Sequence, residues 1–465
     1  MKTNRPNILY LTFDQQRYDC VSMSGIRPVR TPNLQRIADK GVYFENAYTP
    51  IPVCAPVRQA LMTGKRPECF GGLWNPHIVF PVKMIPEGIY SWTRQVAASG
   101  YRTGWVGNWE ADENHTPDYY GFEKFVSRAQ INSEEAAHTP AGSTFPNGFF
   151  GDSNPVPLEY SHTHLSARHV IEMIDEFADG DAPWYIHMDN PEPHLPCRPS
   201  APFDTMYNPD EIEKWGGFDD TFEGKPYIQR QQVLNWKLEN RTWDEWKRTV
   251  ALYYGIISQY DDAVGHILDH LEQKGLMENT IILYTTDHGD MCGSHRMIDK
   301  HYNMYQDICH VPMAIRWDGH IVPGRFEGYV YQCLDAQPTL MHLIGEKIPA
   351  EAGFHGMDLS DLLLRGERDN GRRWAVSTYN GQQFGLFTER SICDGNYKYV
   401  WNLTDTDELY DLREDPYELH NIIHDESRAD DLAALRVHLY EELTRCEDPI
   451  ARSWTSDQLL KGRKL

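Results

Sequence analysis

An eleven-residue segment, CAPVRQALMTG from Cys54 to Gly64, carries residue types that can do chemistry at a fixed spacing. A cysteine, a proline two positions later and Arg58 precede a short apolar run. One interpretation is a buried, inert thiol beside a helix start, with Gly64 as the helix C-cap. The other is a reactive centre, because the N-terminal end of a helix favours a negatively charged group.

Two further candidate sites follow apolar runs that are typical of buried strands. NILYLTF at 7–13 ends at Asp14, and IILYTT at 281–286 ends at Asp287, which is followed by His288. Ligands of open α/β sheets bind beyond the carboxyl ends of the strands, so we expect these side chains to converge. They are therefore candidate metal ligands, and acids that cap a turn are the alternative interpretation.

The pattern C-x-P-x-R followed by L-M-T-G resembles the signature of the type I sulfatases of the alkaline phosphatase superfamily. In that family the cysteine is oxidised to formylglycine, and one hydroxyl of the hydrated aldehyde attacks sulfur. The second hydroxyl then drives elimination of the sulfate, which regenerates the aldehyde. The resemblance implies that Cys54 becomes the nucleophile and that Arg58 contacts both the nucleophile and the metal shell.

The resemblance covers nearly the whole chain, and it implies an alkaline-phosphatase-like fold. The segments that carry it are TFDQQRYD, TPNLQRIADKGVYFENAYTPIPVCAP, YDDAVGHILDHLEQKGLMENTIILYTTDHGD, LDAQPTLMHLIGEKIP and YKYVWNLTDTDELYDLREDPYELHNI.

The predicted metal ligands indicate a branch of the family. The pairs Asp14-Gln15 and Asp287-His288 resemble the branch that contains choline sulfatases and phosphonate monoester hydrolases. That resemblance implies a divalent cation on these two acids, on His288 and on the oxygen of the nucleophile made from Cys54. The cation would lower the pKa of the nucleophile and neutralise the sulfate. Oxygen ligands favour calcium, which we expect first, and the imidazole is compatible with manganese.

Two basic residues resemble family residues that act on the substrate. His194 in PEPHLP resembles the histidine that protonates the leaving alcohol, a role that suits a pKa near neutral. Lys300 in IDKHYNMYQD matches a lysine that holds a sulfate oxygen, with Tyr305-Gln306 in place of the family's Tyr-Glu. A solvent-exposed histidine and a surface lysine are the alternative interpretations.

The segment GNWEADENHTPDYYGFEKF departs most from the family, which commonly has Gly-Lys-Trp-His at its start. Asn108 and Glu110 replace the lysine that binds sulfate and the histidine that helps to regenerate the aldehyde. Glu110 can accept a proton and Asn108 can donate a hydrogen bond to an oxyanion. His115 is a candidate replacement for the missing histidine. Asn75 in LWNPH resembles an asparagine at the site of the phosphonate-hydrolase branch, and a loop turn is its alternative interpretation.

The composition limits the function classes. The chain has 465 residues, is 40% hydrophobic and 24% charged, and carries a formal charge of −24, which argues against a nucleic-acid or anionic-membrane partner. No stretch is apolar for long enough to span a membrane. The start runs directly into a predicted strand without a cleavage-site pattern, so we expect a cytoplasmic protein. Nine cysteines without CxxC pairs predict neither a disulfide framework nor a zinc site.

Apolar strands that alternate with helices predict an α/β fold around a mostly parallel sheet over residues 1–365. Short alternating strands (WAVSTY, FGLFTERSI, YKYVWN and DELYDL) and a helix near 429–445 predict a C-terminal subdomain, 366–465, with a small antiparallel sheet. Asn190 ends a predicted strand, so we expect it to join Asp14 and Asp287. The other predicted elements are helices at 31–41 (with Thr31 as N-cap, Pro32 first and Gly41 past the end), 91–99 and 243–274, and strands at 42–48, 101–106 and 184–190.

Residues 110–165 and 190–242 are rich in Pro, Gly, Asn and aromatic residues, which predicts long loops around the site. Their aromatic side chains are expected to shape the alcohol side of the pocket, and packed hydrophobic cover is the alternative. These side chains are Tyr119, Tyr120, Phe149, Phe150 and Trp215.

Three functions are compatible with these observations. The leading hypothesis is a sulfatase that hydrolyses an O-sulfate ester of a sugar or small organic molecule, with a formylglycine-generating enzyme as its maturation partner. The second uses the same nucleophile and metal on a phosphonate monoester or phosphodiester. The third is a catalytically silent binding protein that lacks the usual lysine and histidine at positions 108 and 110. An oligomer is compatible with all three.

Overall fold

The computed structural model describes residues 5–78, 80–382 and 385–464. The strands in these ranges are β1 (Asn7–Asp14), β2 (Gly41–Tyr48), β3 (Arg102–Gly107), β4 (Lys124–Ser127), β5 (Trp184–Pro193), β6 (Thr280–Thr286), β7 (His310–Val311), β8 (Met313–Arg316), β9 (Gly324–Tyr331), β10 (Ala375–Gln382), β11 (Gly385–Cys393), β12 (Tyr397–Asn402) and β13 (Glu408–Asp411). The α-helices are α1 (Pro32–Lys40), α2 (Cys54–Thr63), α3 (Trp92–Ala98), α4 (Arg128–His138), α5 (His162–Ala178), α6 (Tyr227–Asn235), α7 (Trp243–Gln273), α8 (Gln306–Cys309), α9 (Ala336–Leu343), α10 (Ser360–Arg365), α11 (Ala429–Arg445) and α12 (Ser453–Lys461).

The large sheet has the strand order β4-β3-β5-β1-β6-β8-β2-β7, and β9 pairs with β2. The centre is parallel: Ile8 of β1 lies opposite Tyr185 of β5 and Ile281 of β6. Strand β8 runs antiparallel to β6 and β2. The sheet is therefore mixed and mostly parallel, and α5 and α7 pack against each other and against β5. This confirms the predicted α/β fold around a mostly parallel sheet.

The first helix shows how the local sequence sets element ends. Helix α1 begins at Pro32 with Thr31 as N-cap, as predicted, because a proline at the first helical position gives up no hydrogen bond. Gly41 ends the helix in an extended conformation and begins β2. A Cβ atom at Gly41 would lie 2.1 Å from the carbonyl oxygen of Ile315 in β8, so glycine permits this close approach of two strands.

The prediction of long loops at 110–165 and 190–242 was wrong in part. Strand β4, helix α4 and the start of α5 lie in the first stretch, and α6 lies in the second. Strand β4 has only four residues, and Ile131 is the buried residue of α4. Neither element therefore has the apolar periodicity by which a helix or a strand is recognised in a sequence.

The C-terminal strands β10 to β13 form a separate antiparallel sheet, as predicted, and α11 coincides with the predicted helix. Phe384, the first residue of the predicted strand FGLFTERSI, lies outside the described residues. Helix α12 was not predicted. The small sheet packs on α11 through a core of its own, which includes Val376, Ile392, Tyr399, Trp401, Leu435 and Leu439.

The proposed boundary at 365/366 falls between α10 and β10. In the described ranges, none of the helices is both long and apolar enough to cross a membrane. The nine cysteines are all free, in agreement with the prediction that the chain has no disulfide framework.

Candidate active site

The two predicted strand-end acids meet at one edge of the large sheet. Asp14 is the last residue of β1 and Asp287 directly follows β6, its parallel neighbour. Cys54 is the first residue of α2, which approaches the same edge. One ligand atom each from these three residues and from His288 lie within 4.8 Å of one another, and all four residues are buried. The structure therefore brings together the four predicted metal ligands.

Arg58 lies one helical turn after Cys54 and is 2% exposed. Its guanidinium lies 3.1 Å from Asp14 Oδ2, 2.8 Å from Asp287 Oδ2 and 2.7 Å from Asp189 Oδ1. Burial raises the pKa of Asp189 to about 7, and Arg58 opposes that shift. Burial also disfavours the charged form of Asp14, but Arg58, His194 and Lys300 together hold the pKa of that carboxyl below its usual range.

The prediction that Asn190 joins these acids was wrong. Strand β5 continues to Pro193, and the Asn190 side chain accepts a hydrogen bond from His162 Nδ1 at 3.1 Å. Its neighbour Asp189 contacts Arg58 instead. Successive side chains of a strand point to opposite faces, so a displacement of one residue changes which of them reaches the site.

The four ligand residues fit a divalent cation. Asp14 Oδ1 is buried and has no hydrogen-bond partner among the described residues. His288 Nδ1 donates to the carbonyl of Gly289 at 2.9 Å, which leaves the Nε2 lone pair directed at the cluster. That Nε2 lies 3.4 Å from Cys54 Sγ and 3.3 Å from Asp287 Oδ2. Burial, despite Asp287, lowers the pKa of His288 to about 4, so the imidazole is neutral and can act as a ligand.

The protein groups around Cys54 disfavour its thiolate form. Burial and the Asp14 carboxylate raise its pKa well above the ordinary value, and Lys300 only partly offsets them. Because the thiolate is the reactive form of cysteine, this environment suppresses thiol chemistry. The predicted site residue Asn75 accepts a hydrogen bond at 2.8 Å from the backbone N–H of Ala55, next to Cys54.

Lys300 and His194 form a contact pair at the site. Lys300 Nζ lies 3.1 Å from His194 Nε2 and donates to Gln15 Oε1 at 3.0 Å. Asp299, at 3.3 Å, is the main charge that raises the pKa of Lys300 although burial opposes ionisation. His194 Nδ1 donates to the carbonyl of Leu195 at 2.7 Å, which fixes the direction of the ring. The sequence interpretation missed the contacts of Gln15 and Asp299.

These residues surround a cavity of about 470 Å³, which we call the first cavity. Of the five predicted aromatic residues, only Phe149 is among the described residues that line it. Trp109 and Trp236, which were not predicted, line it as well. Trp215 is instead buried under the guanidinium of Arg17, 4.2 Å from the ring centre.

Comparison with known proteins identifies the family. A family model described as Sulfatase matches residues 6–346, and a model described as N-sulphoglucosamine sulphohydrolase, C-terminal, matches residues 293–447. The chain belongs to the sulfatase family. This confirms the resemblance of the sequence to the sulfatases and its assignment as a sulfuric ester hydrolase.

Individual relatives can be aligned with this chain over nearly their full lengths. The uncharacterized sulfatase YidJ of Escherichia coli (strain K12) is 27% identical over 97% of this chain and 91% of its own. An arylsulfatase of Clostridium perfringens is 26% identical over 98% of both chains. The crystal structure of phosphonate monoester hydrolase from Agrobacterium radiobacter has a TM-score of 0.79 and 25% identity, and the match covers 96% of both chains.

At positions 108 and 110 the sequence departs from the pattern that the resemblance implies. The structure places an arginine that was not predicted, Arg128, beside both residues. Arg128, the first residue of α4, donates to Asn108 Oδ1 at 3.1 Å, and Asn108 Nδ2 lies 3.5 Å from Asp14 Oδ2. Glu110 lies 3.5 Å from Arg58 and 4.0 Å from Arg128. A positive charge therefore lies beside Asn108, although it comes from a different element.

His115 lies in a separate cluster. Its Nδ1 lies 2.8 Å from Asp112 Oδ2, and its ring stacks on Tyr119 at 3.7 Å. Tyr120 donates to the same Asp112 carboxylate at 2.6 Å. The described residues that line the first cavity do not include His115, so its role as a replacement for the missing histidine stays a prediction without a supporting contact.

Proposed function

We propose that this sulfatase hydrolyses an O-sulfate ester with a formylglycine nucleophile made from Cys54 and a divalent cation held by Asp14, Asp287 and His288. The observation that carries the proposal is the position of Cys54. Cys54 is the first residue of α2, and its Sγ lies within 4.8 Å of one ligand atom from each of these three residues. Arg58, one turn later in α2, contacts Asp14 and Asp287. The pattern C-x-P-x-R that begins at Cys54 resembles the sulfatase signature in which this cysteine is oxidised to formylglycine, and this resemblance supports the modified side chain as the nucleophile.

The two added groups supply different parts of the reaction. Formylglycine at position 54 would supply a geminal diol, with one hydroxyl as the nucleophile and a second whose deprotonation would release the sulfate. A cation held by Asp14, Asp287 and His288 would supply positive charge that neutralises the sulfate and lowers the pKa of the nucleophile. We propose calcium first, since most donors are oxygens, and manganese as the alternative, since one donor is an imidazole.

The residues of the chain orient the substrate and move protons. Lys300 is buried, charged and directed at His194, so it can hold a sulfate oxygen as a point charge. His194 is oriented to deliver a proton to the leaving alcohol through Nε2, because its Nδ1–H is bound to Leu195. Glu110 is the carboxylate that can accept the proton of the second hydroxyl. Asn108 and Arg128 can donate hydrogen bonds to a sulfate oxygen.

The substrate is proposed as a sulfate ester of a small organic molecule or sugar. The first cavity supports this, because Phe149, Trp109 and Trp236 form apolar walls beside the charged end. The arylsulfatase of C. perfringens, which this chain matches over 98% of its length, is named for aryl sulfates. Maturation by a formylglycine-generating enzyme and a cytoplasmic location belong to the same proposal.

A phosphonate monoester or phosphodiester is the second candidate substrate class. The pairs Asp14-Gln15 and Asp287-His288 favour it, together with the similarity to the phosphonate monoester hydrolase structure. The experiment compares purified enzyme, coproduced with a formylglycine-generating enzyme and loaded with calcium or manganese, on an aryl sulfate, a phosphonate monoester and a phosphodiester. We expect the highest kcat/KM on the sulfate. Faster turnover of the diester or the phosphonate would overturn the sulfatase assignment of this site.

A further inference from the structure

Helices α5 and α7 pack against each other, and three side chains that can bind a metal ion meet between them. His164 is the third residue of α5. Asp262 and His266 lie four residues apart in α7, which places them on one face of that helix. One ligand atom from each of the three residues lies within 4.8 Å of the other two. The hydrolysis proposed above gives none of them a role.

The orientation of the His164 ring points to a cation beside it. The hydroxyl of Ser161 donates its proton to the carbonyl of Leu158 at 2.7 Å, so its oxygen accepts the hydrogen bond from His164 Nδ1 at 3.0 Å. The proton of the neutral ring is therefore on Nδ1, and Nε2 presents a lone pair. That lone pair faces Asp262 Oδ2 at 3.0 Å. Two acceptors at this distance repel each other unless a proton or a metal ion lies between them.

The spacing of the ligand atoms favours a metal ion over a proton. His266 Nε2 lies 3.9 Å from the same Oδ2 of Asp262, which is too long for a hydrogen bond. Ligand atoms at about 2.0–2.1 Å from a tetrahedral zinc ion lie roughly 3.3 Å from one another. The contacts of 3.0 and 3.9 Å lie on either side of that value. The His266 side chain is 59% exposed, so it can rotate to complete the site.

The neighbouring charges also favour a cation. In the described part of the chain, the ion-pair partners of Asp262 are the two histidines, and no lysine or arginine lies within 4.0 Å of it. His270, one turn after His266, provides a contrast. It pairs with Asp175 at 2.9 Å, and Lys274 lies 2.8 Å from the same carboxylate. The lysine supplies there the positive charge that a metal ion would supply at Asp262.

We propose that His164, Asp262 and His266 bind one zinc ion, with water in the fourth position, and that the ion links α5 to α7. Two imidazoles and one carboxylate suit zinc, whereas calcium and magnesium prefer sites made of oxygen atoms. Because the ion bridges two helices of the folded chain, its binding stabilises that chain. The inference goes beyond the proposed function, and it does not depend on Cys54 or on the modification of that residue.

The experiment titrates zinc into the calcium-loaded enzyme by isothermal titration calorimetry and measures the Tm with and without zinc. The variants are His266→Ala, which removes an exposed ligand, and Asp262→Asn, which keeps the size of the side chain. His270→Ala is the matched control, because it removes a histidine of the same helix that also pairs with an aspartate. Zinc that enters the catalytic centre contributes equally to wild type and to the three variants.

We expect wild type and His270→Ala to bind one more equivalent of zinc than His266→Ala and Asp262→Asn. Zinc at 100-fold the dissociation constant of that equivalent should raise the Tm of the first two proteins by about 3 °C. This rise should be absent from His266→Ala and Asp262→Asn. Equal stoichiometry and equal Tm shifts in all four proteins would overturn the inference, and so would a loss in His270→Ala as large as that in His266→Ala.

Discussion

Arg58 donates two hydrogen bonds to Asp189, from Nε to Oδ2 at 2.8 Å and from Nη2 to Oδ1 at 2.7 Å. The contact lies at the edge of the large sheet that is approached by α2, the helix that begins at Cys54. This planar, paired contact fixes the guanidinium in one orientation. The other side of the group can then reach Asp14 and Asp287. Three buried carboxylates thus surround one arginine, and the excess negative charge favours a bound cation.

We predict that Asp189→Asn weakens the metal site although Asp189 is not among its ligands. The substitution removes the paired contact and frees Arg58 to rotate against Asp14 and Asp287. Partners of this kind typically change metal affinity or activity by about 10–100-fold. Calcium or manganese titration and kcat measure the effect, and Asp175→Asn, in an exposed ion pair of α5, is the control. Unchanged affinity and kcat would refute the positioning role of Asp189.

His194→Asn should slow the hydrolysis of alkyl sulfates more than that of aryl sulfates. A phenolate leaves without a proton more readily than an alkoxide, so loss of the acid affects the poorer leaving group. General acids contribute about 10²–10⁴-fold, and we expect an alkyl-sulfate loss in that range. A leaving-group series measured with wild type, His194→Asn and the control His424→Asn, at an exposed position far along the chain, checks this. An equal loss across the series would contradict the proton-transfer role.

Arg128→Ala should lower kcat/KM for sulfate esters by about 10–100-fold, because hydrogen bonds to a charged group are worth about 1.5–3 kcal/mol. Arg168→Ala is a matched control, since both arginines are about half exposed and each pairs with a glutamate. In the Arg128→Ala background, Asn108→Lys should restore part of the loss by returning a positive charge to that position. If Arg168→Ala has the same effect, Arg128 has no specific role.

The raised pKa of Glu192 should make the free energy of unfolding depend on pH. Its pKa is raised to about 8 in the folded chain, above the roughly 4.3 of a free glutamate. The unfolded chain therefore releases this proton first, and the folded state loses stability as the pH rises from about 4.3 to about 8. The Glu192→Gln side chain cannot ionise. The Tm of this variant minus the Tm of wild type should therefore be larger at pH 9 than at pH 5. Thermal denaturation at both pH values checks this, and a constant or shrinking difference would contradict it.

The sequence predicted the parts of the site that lie on strongly patterned elements. Asp14 and Asp287 end apolar strands, and adjacent parallel strands bring their ends together. Cys54 begins a helix whose start is visible in the sequence. The family resemblance added the expected roles of His194 and Lys300, which the structure places in contact at 3.1 Å.

The missed contacts depend on the three-dimensional structure rather than on local pattern. Asp189 rather than Asn190 reaches Arg58, because the length of β5 sets which face each residue occupies. Arg128 lies at the start of α4, a helix with too few apolar residues to be recognised. Asp299 and Gln15 contact Lys300 through backbone turns with positive φ angles of 68° and 74°, which composition does not predict.

The most direct test of the account is the mass of the peptide that contains Cys54, taken from protein coproduced with a formylglycine-generating enzyme and compared with the rate of sulfate release. The account predicts an aldehyde in place of the thiol, and turnover that rises with the modified fraction and is lost in Cys54→Ala. An intact thiol in a preparation that releases sulfate at the full rate would contradict it.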